Sequence, residues 1–447
     1  MNAKKPAFGQ LPNNDFAKQP YWWDENPPWT PPPSPLAGSC DVAIIGGGIA
    51  GLSAALELAR NGVATVVLEA DAFGFNASAR NSGGVSLAID TGKVAGWHRW
   101  TGDGKAPPTA DLVRGAADSL DYVEAFIARN GIDCDYHRRG RLSCAPTRGY
   151  YDILAQRAER LNKLVDVGAY MVPRSEQRSE IGSDSFFGVM VVGRSGQLNP
   201  ARYQRAIAER CLQAGVSLRA ETAVQNIERS AGAGFKLTTN AGTLRAAGVV
   251  AATNAHSIRL PGAFARRIVP VASHVIVTEP LDDALAEGLL PKRRTGADNR
   301  RLLAYFRRTP DGRRLLYGGR ASPVEVSETQ TAAILYRKMV RQFPQLDGVR
   351  LSHAWGCKVA FTFDGIPHMG VQDGLHYIIG CNGNGVAMMS YLGYQIARKI
   401  LTGAKSTCVF DQPNFPKPPL YDGRPWFLPI VATAFRALDR IDSLRAK

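Results

Sequence analysis

The chain has 447 residues, 45% of them hydrophobic and 21% charged, ordinary globular usage and enough for two or three domains. That excludes a disordered, collagen-like or small disulfide-stapled protein. Lys and Arg number 54 against 39 Asp and Glu, a net charge of +15, so nucleic acid, an anionic membrane surface and an acidic ligand all stay open as partners.

In chain order, residues 1–37 are a proline-rich arm interleaved with Trp22, Trp23 and Trp29. Extended polyproline geometry is expected there, with the aromatics docked onto the body. No secretory signal is read, because the first apolar run is broken by prolines, Asp24 and Glu25. From Asp41 the pattern is β-α-β: a buried strand at Val42 to Ile45, a helix from Ala50 to Arg60 closed by Gly62, and a strand from Val63 to Leu68. Asn199 and Pro200 supply an N-cap and first-turn proline for a helix that buries Tyr203, Ile207 and Cys211 and stops at Gly215. Further strands are expected at Val216 to Leu218, on to Leu244, and at Gly248 to Ala252. A hairpin spans Arg301 to Tyr317 around Thr309-Pro310-Asp311-Gly312. A helix follows at 328–343, and the last helix runs from about Trp426 to Leu444 with an apolar stripe of Phe427, Ile430, Val431, Ala434, Phe435, Leu438 and Ile441. The seven cysteines show no C-x-x-C spacing, so a reducing, cytoplasmic compartment and no metal site are expected.

Gly46-Gly47-Gly48-Ile49-Ala50-Gly51 is G-x-G-x-x-G, set between the strand and the helix, with Glu69 at the end of the next strand. This is the context of a dinucleotide site. Gly46 permits the tight turn, Gly48 lets a pyrophosphate approach the backbone at the helix N-terminus, and Gly51 lets helix and strand pack. Glu69 accepts hydrogen bonds from the adenosine ribose. Motif and strand alone do not separate NAD from FAD.

The segment Gly74-Phe75-Asn76-Ala77-Ser78-Ala79-Arg80-Asn81-Ser82-Gly83-Gly84 resembles the G-x-x-A-S-x-R-N-x-G stretch of the glycine/D-amino-acid oxidase family, and is most similar to its γ-glutamylputrescine oxidase branch. Tyr21-Trp22-Trp23, Gly196 to Pro200, Pro270 to Leu281, Leu315 to Arg320, Trp355-Gly356, Gly380 to Val386 and Tyr421 to Pro429 extend the resemblance along the chain. It implies an α/β flavoprotein: a Rossmann-like FAD-binding domain (38–125, 195–262, 364–410) interleaved with an α+β substrate domain built on an antiparallel sheet (126–194, 263–363), plus a C-terminal segment, 411–447, with an amphipathic helix. Residues implied along FAD are Gly46, Gly48, Ile49, Ala50, Gly51, Glu69, Ala70, Ala77, Ser78, Arg80, Asn81, Ser82, Val224, Thr253 and Asn254. Gly383, Asn384, Gly385 and Val386 would bring a second helix N-terminus to the flavin.

The implied reaction is oxidation of a C–N bond by hydride transfer to flavin N5, giving an imine that hydrolyses. Oxygen or a quinone-type carrier accepts the electrons. Substrates implied are a secondary amine, a polyamine derivative or a cyclic imino acid such as pipecolate. Pocket candidates are Tyr305 over the ring, His274, Arg320 for a substrate carboxylate, and Phe361 to Asp364. Cys357 precedes Thr362-Phe363-Asp364 at the spacing of the sarcosine-oxidase thioether cysteine, so FAD attached covalently through Cys357 is one reading and a buried thiol the other. Ala387, Leu303 and Tyr305 stand where sarcosine-type relatives have lysines, which argues against sarcosine itself. Lys292 to Arg320 hold nine arginines and one lysine against two aspartates, read as a solvated face. The C-terminal stripe packs on the body or lies on a membrane. A membrane-associated dehydrogenase, a tRNA-modification flavoprotein and a non-catalytic FAD-binding protein remain the alternatives, and no nucleic acid is expected.

Overall fold

The computed structural model describes residues 12–32, 35–87, 109–230, 234–259, 263–320, 327–403, 406–412 and 416–445. The first eleven residues of the arm, Pro33 and Lys447 lie outside them. Two sheets carry the fold. The first is built on five parallel strands in the order Ser217–Arg219, Thr65–Leu68, Ser39–Ile45, Gly242–Ala251 and Leu375–Ile379. Thr65–Leu68 and the last four residues of Ser39–Ile45 are buried without alternation, because both sheet faces are covered. Helices Ile49–Arg60, Pro200–Gln213 and Gly385–Thr402 share one core with Val42, Ile44 and Val67. On the other face Phe235, Leu237, Leu244 and Ile268 meet Ala43, Ile45, Val66 and Leu68.

The expected break between Leu244 and Gly248 does not occur. Gly242–Ala251 is one strand, because its first half pairs with Phe235–Thr239 and its second half with Ser39–Ile45.

The second sheet has nine strands, largely antiparallel, ordered Pro12–Ala17, Leu351–Thr362, Ile268–Thr278, Leu315–Gly319, Ala304–Arg308, Thr295–Asp298, Arg141–Cys144, Val189–Val192 and Ala169–Val172. One of its faces buries Ile276, Phe306 and Tyr317 against Leu335 and Met339 of helix Glu328–Gln342. The opposite face turns toward the glycine loop, where Val275, Val277, Leu316 and Trp355 pack on Ala79 and Trp22. The arm therefore does more than dock. Its strand Pro12–Ala17 pairs in parallel with the edge at Leu351 to His353. The last helix, Leu428–Arg445, begins two residues later than expected, where Pro429 suits a first turn.

Candidate active site

Gly46 sits at φ +106°, and a Cβ on Gly51 would lie 2.0 Å from the Gly46 carbonyl oxygen. Helix Ile49–Arg60 thus starts directly on the loop backbone, a contact that only glycine permits. A Cβ on Gly48 would come 2.8 Å from Ser78 Oγ, which accepts from Ile49 N at 3.0 Å. Glu69 ends its strand with its carboxylate accepting from Gly47 N at 2.7 Å and Asp71 N at 3.2 Å. Burial raises the Glu69 pKa, and those amide bonds oppose the rise. Thr222 N donates to Glu69 O at 2.7 Å, bringing half-buried Val224 to the same end of the loop as exposed Ala70. Asn254, at φ +43°, accepts from Gly380 N at 3.1 Å and Cys381 N at 3.3 Å, while Thr253 Oγ1 bonds Ser257 Oγ at 2.7 Å.

Two helices that pack on each other start without side-chain caps: Gly48 precedes Ile49–Arg60 and Asn384 precedes Gly385–Thr402. Thr147, Asn199 and Ser327 cap their helices, while the short helices after Asn76 and Asp282 are also without a side-chain cap bond. Asn384 Oδ1 instead lies 3.4 Å from Ser86 Oγ and 3.5 Å from Arg141 Nη1. Uncapped first-turn amides beside a backbone-lined cradle suit a pyrophosphate at one helix, and the dipole suits anionic charge at the other. These residues fit FAD.

In the segment after Asn76, Asn81 closes the turn Ala77–Arg80 by donating to Ala77 O at 3.1 Å and Ser78 O at 2.9 Å while accepting from Gly83 N at 2.8 Å. Arg80 donates to Gly356 O at 2.9 Å, and its guanidinium carbon lies 4.6 Å from the Trp23 ring centroid and 4.8 Å from that of Phe75.

The register of the nine-stranded sheet sorts the pocket candidates. Ser273 lies opposite Cys357, and Tyr305 opposite Gly318. The Tyr305 hydroxyl is 3.0 Å from Ser273 Oγ, and the Arg320 guanidinium carbon is 4.7 Å from the Phe361 ring centroid. Tyr305, Ser273, Cys357, Phe361 and Arg320 thus share the face that carries Trp355. His274 does not join them: adjacent strand residues point to opposite faces, and its ring packs over Gly356 on the helix-covered side. Burial lowers the His274 pKa and raises that of Tyr305, and pushes the Cys357 thiol up to about 12, against the nearby Arg80 cation. Burial also lowers Arg320, which has no ion-pair partner among the described residues.

Sequence reasoning missed Ser273, Arg141 and Arg307, which no motif marks. It also misjudged the basic run. Arg307 and Arg308 are buried, and Arg308 donates to Gly312 O at 2.7 Å. Arg293 bonds the carbonyls of Thr309 and Pro310, Arg314 donates to Thr278 O at 3.1 Å, and Lys292 and Arg294 bracket buried Glu180 at 2.7 and 2.8 Å. Loop carbonyls without strand partners need donors, and planar guanidinium groups supply several each. Just before the C-terminal helix Phe427 packs near Phe363 and Tyr421, and within the helix Asp439 and Asp442 hold Arg301 at 3.1 and 2.6 Å. Ile430, Ala434, Leu438 and Ile441 remain exposed, as do Arg436 and Arg440. No helix among the described residues is long and apolar enough to cross a membrane.

The sequence profile of the DAO family, FAD dependent oxidoreductases, matches residues 41–399. The chain belongs to this family. It is 29% identical over 409 residues to the gamma-glutamylputrescine oxidoreductase of Escherichia coli (strain K12), covering 88% of this chain and 91% of that protein. It is 30% identical over 401 residues to the probable oxidoreductase OrdL of Rhizobium meliloti (strain 1021), covering 86% and 89%. In fold it is similar to glycine oxidase from Geobacillus kaustophilus, with a TM-score of 0.70 at 23% identity over 86% of this chain and 99% of that one. L-proline dehydrogenase from P. horikoshii gives the same TM-score, 0.70, at 19% identity over 84% and 97%. The α/β fold and the FAD-dependent oxidoreductase expected from the sequence are thereby met, and FAD is the cofactor of this DAO-family member.

Proposed function

We propose that the protein oxidises the C–N bond of an amine that carries a carboxylate: an amino acid, or an N-substituted or cyclic relative of one. The observation that carries this reading is Arg320, a half-buried cation stacked on Phe361 with no acidic partner among the described residues. It shares its face with Tyr305, and Phe361 lies 3.5 Å from where a Cβ on Gly383 would sit, before the uncapped helix. The relatives act, by name, on γ-glutamylputrescine, glycine and L-proline.

FAD, when bound, supplies the hydride acceptor. Arg320 holds the substrate carboxylate in its two-pronged fork, with the ring of Phe361 fixing the guanidinium plane. Tyr305, its pKa raised by burial, keeps its proton and stays a hydrogen-bond donor. The two rings exclude water, which favours the neutral amine over the ammonium form. The one imidazole that the central strands put on this face, His353, lies four residues along its strand from Cys357 and is engaged by Asp24 of the arm, so the side chains at Tyr305 and Arg320 orient and desolvate the substrate without taking a proton from it.

Anaerobic addition of an amine and amino-acid panel is expected to bleach the flavin with carboxylate-bearing members first. A flavin that stays yellow with all of them refutes the reading. Readmitted oxygen then separates an oxidase, whose colour returns, from a dehydrogenase that passes electrons to a quinone-type carrier. Covalent attachment through Cys357 belongs to the same proposal, and acid precipitation of the same sample tests it, since bound flavin pellets with the protein. The exposed stripe of Ile430, Ala434, Leu438 and Ile441 beside Arg436 and Arg440 supports a second partner, an anionic membrane surface. The protein is expected to co-sediment with phosphatidylserine vesicles and to lose binding in Leu438→Glu. No binding at low salt overturns that contact.

A further inference from the structure

Three consecutive carbonyls, starting at the last residue of the turn Ala77–Arg80, are each held by a side chain from a different part of the chain. Trp355 Nε1 donates to Arg80 O at 2.8 Å, Trp22 Nε1 to Asn81 O at 2.9 Å, and Arg307 Nη1 to Ser82 O at 3.0 Å. Trp22 comes from the arm and the other two from separate strands of the nine-stranded sheet. All three are at most 2% exposed. Arg307 also donates to Leu198 O at 2.8 Å and Arg308 O at 3.0 Å, and lies 5.4 Å from the Trp22 ring centroid. The adjoining Trp23 is stacked with Arg80.

A guanidinium buried among carbonyls, with no carboxylate bonded to it, is a costly way to hold a loop. Apolar packing would stabilise this contact as well. What donors add is direction: bonds to successive carbonyls fix both the position and the twist of a backbone that side-chain packing leaves free to slide. We propose that the N-terminal arm is a positioning element of the FAD site, with Trp22, Trp355 and Arg307 as positioning residues that set Arg80, Asn81 and Ser82 against the cofactor. The proposal rests on the reading that residues 77–82 line FAD. Trp23 and Phe75 complete the device by fixing the Arg80 side chain, whose cation acts on the Cys357 thiol.

The test uses the full-length protein. Trp22→Phe keeps an aromatic ring and removes the donor. Its apoprotein is expected to bind FAD about tenfold more weakly, equivalent to 1.4 kcal/mol, with an altered visible flavin spectrum and a fall in kcat larger than the change in KM. Arg307→Lys, which keeps the charge but not the fork, is expected to shift the same three readouts in the same direction. A purely structural role predicts a lower melting temperature with FAD affinity and spectrum as in the wild type, and that result overturns the proposal. Arg80→Met, measured in parallel, separates the two layers. If it leaves FAD affinity and spectrum unchanged, residues 77–82 do not line the cofactor and the underlying reading fails. If it alters them while Trp22→Phe does not, the arm proposal alone fails.

Discussion

Gly51→Ala protein is expected to purify without its yellow cofactor. The added Cβ would sit 2.0 Å from the Gly46 carbonyl oxygen, a backbone atom that no rotamer change can move. Helix Ile49–Arg60 cannot retreat from it either. On its other side a Cβ at Gly393 would already meet Ala50 O at 2.3 Å and the Ser53 Cβ at 2.8 Å, so the helix is wedged between the loop and helix Gly385–Thr402. Strain of this kind costs about 1–3 kcal/mol, and it falls on the loop whose amides we propose as the pyrophosphate site. FAD affinity is expected to drop about hundredfold, the ~3 kcal/mol end of that range, with a lower melting temperature. Titration of apoprotein with FAD measures the first and thermal unfolding the second. Gly62→Ala is the control: Gly62 has φ +78° and nothing within 4 Å of the new Cβ. It carries the left-handed backbone penalty of about 1 kcal/mol and should stay yellow. A Gly51→Ala protein that binds FAD as the wild type does would remove the glycine loop from the site.

The loop was legible in the sequence because its determinants are local. An apolar strand, glycines at fixed offsets, a helix and an acid at the next strand end lie within thirty residues, and each has a single structural meaning. The proposed substrate face was not legible in that way. Ser273 and His274 are neighbours in sequence, yet only the pairing of Ile268–Thr278 with Leu351–Thr362 decides that Ser273 joins Cys357 and that His274 turns away. Arg307 and Arg320 carry the same side chain at opposite ends of two paired strands. The first spends its donors on Ser82 and Leu198 carbonyls, and the second stacks on Phe361. Charge counting cannot tell such arginines apart, which is why the run from Lys292 to Arg320 read as a solvated face when most of it braces loop carbonyls and Glu180. Trp22 was visible as an aromatic in a proline-rich arm, but its hydrogen-bond acceptor is 59 residues away and no local pattern points to it.

Arg320→Met is the substitution expected to cost most at the substrate. Methionine keeps an unbranched chain against Phe361 and removes the fork. If a carboxylate pairs with the guanidinium in this half-buried setting, the variant leaves that carboxylate desolvated and unpaired. Such truncations cost about 2–5 kcal/mol, so kcat/KM is expected to fall by roughly two to three orders of magnitude, mostly through KM. Stability should move the other way. Burial lowers the Arg320 pKa, so at every pH where the unfolded chain keeps the charge, the folded state holds it at a cost. Removing the cation should leave the melting temperature of the substrate-free protein unchanged or slightly raised, with FAD affinity intact. Arg320→Lys retains a charge without the bidentate geometry and should fall between the two. The decisive comparison is between paired substrates: an amino acid and the corresponding amine without its carboxylate. The carboxylate anchor predicts a large loss on the first and a small one on the second, so that the variant's preference narrows or reverses. Equal losses on both would mean that Arg320 shapes the pocket without binding the carboxylate, and the substrate class would then have to be sought among plain amines.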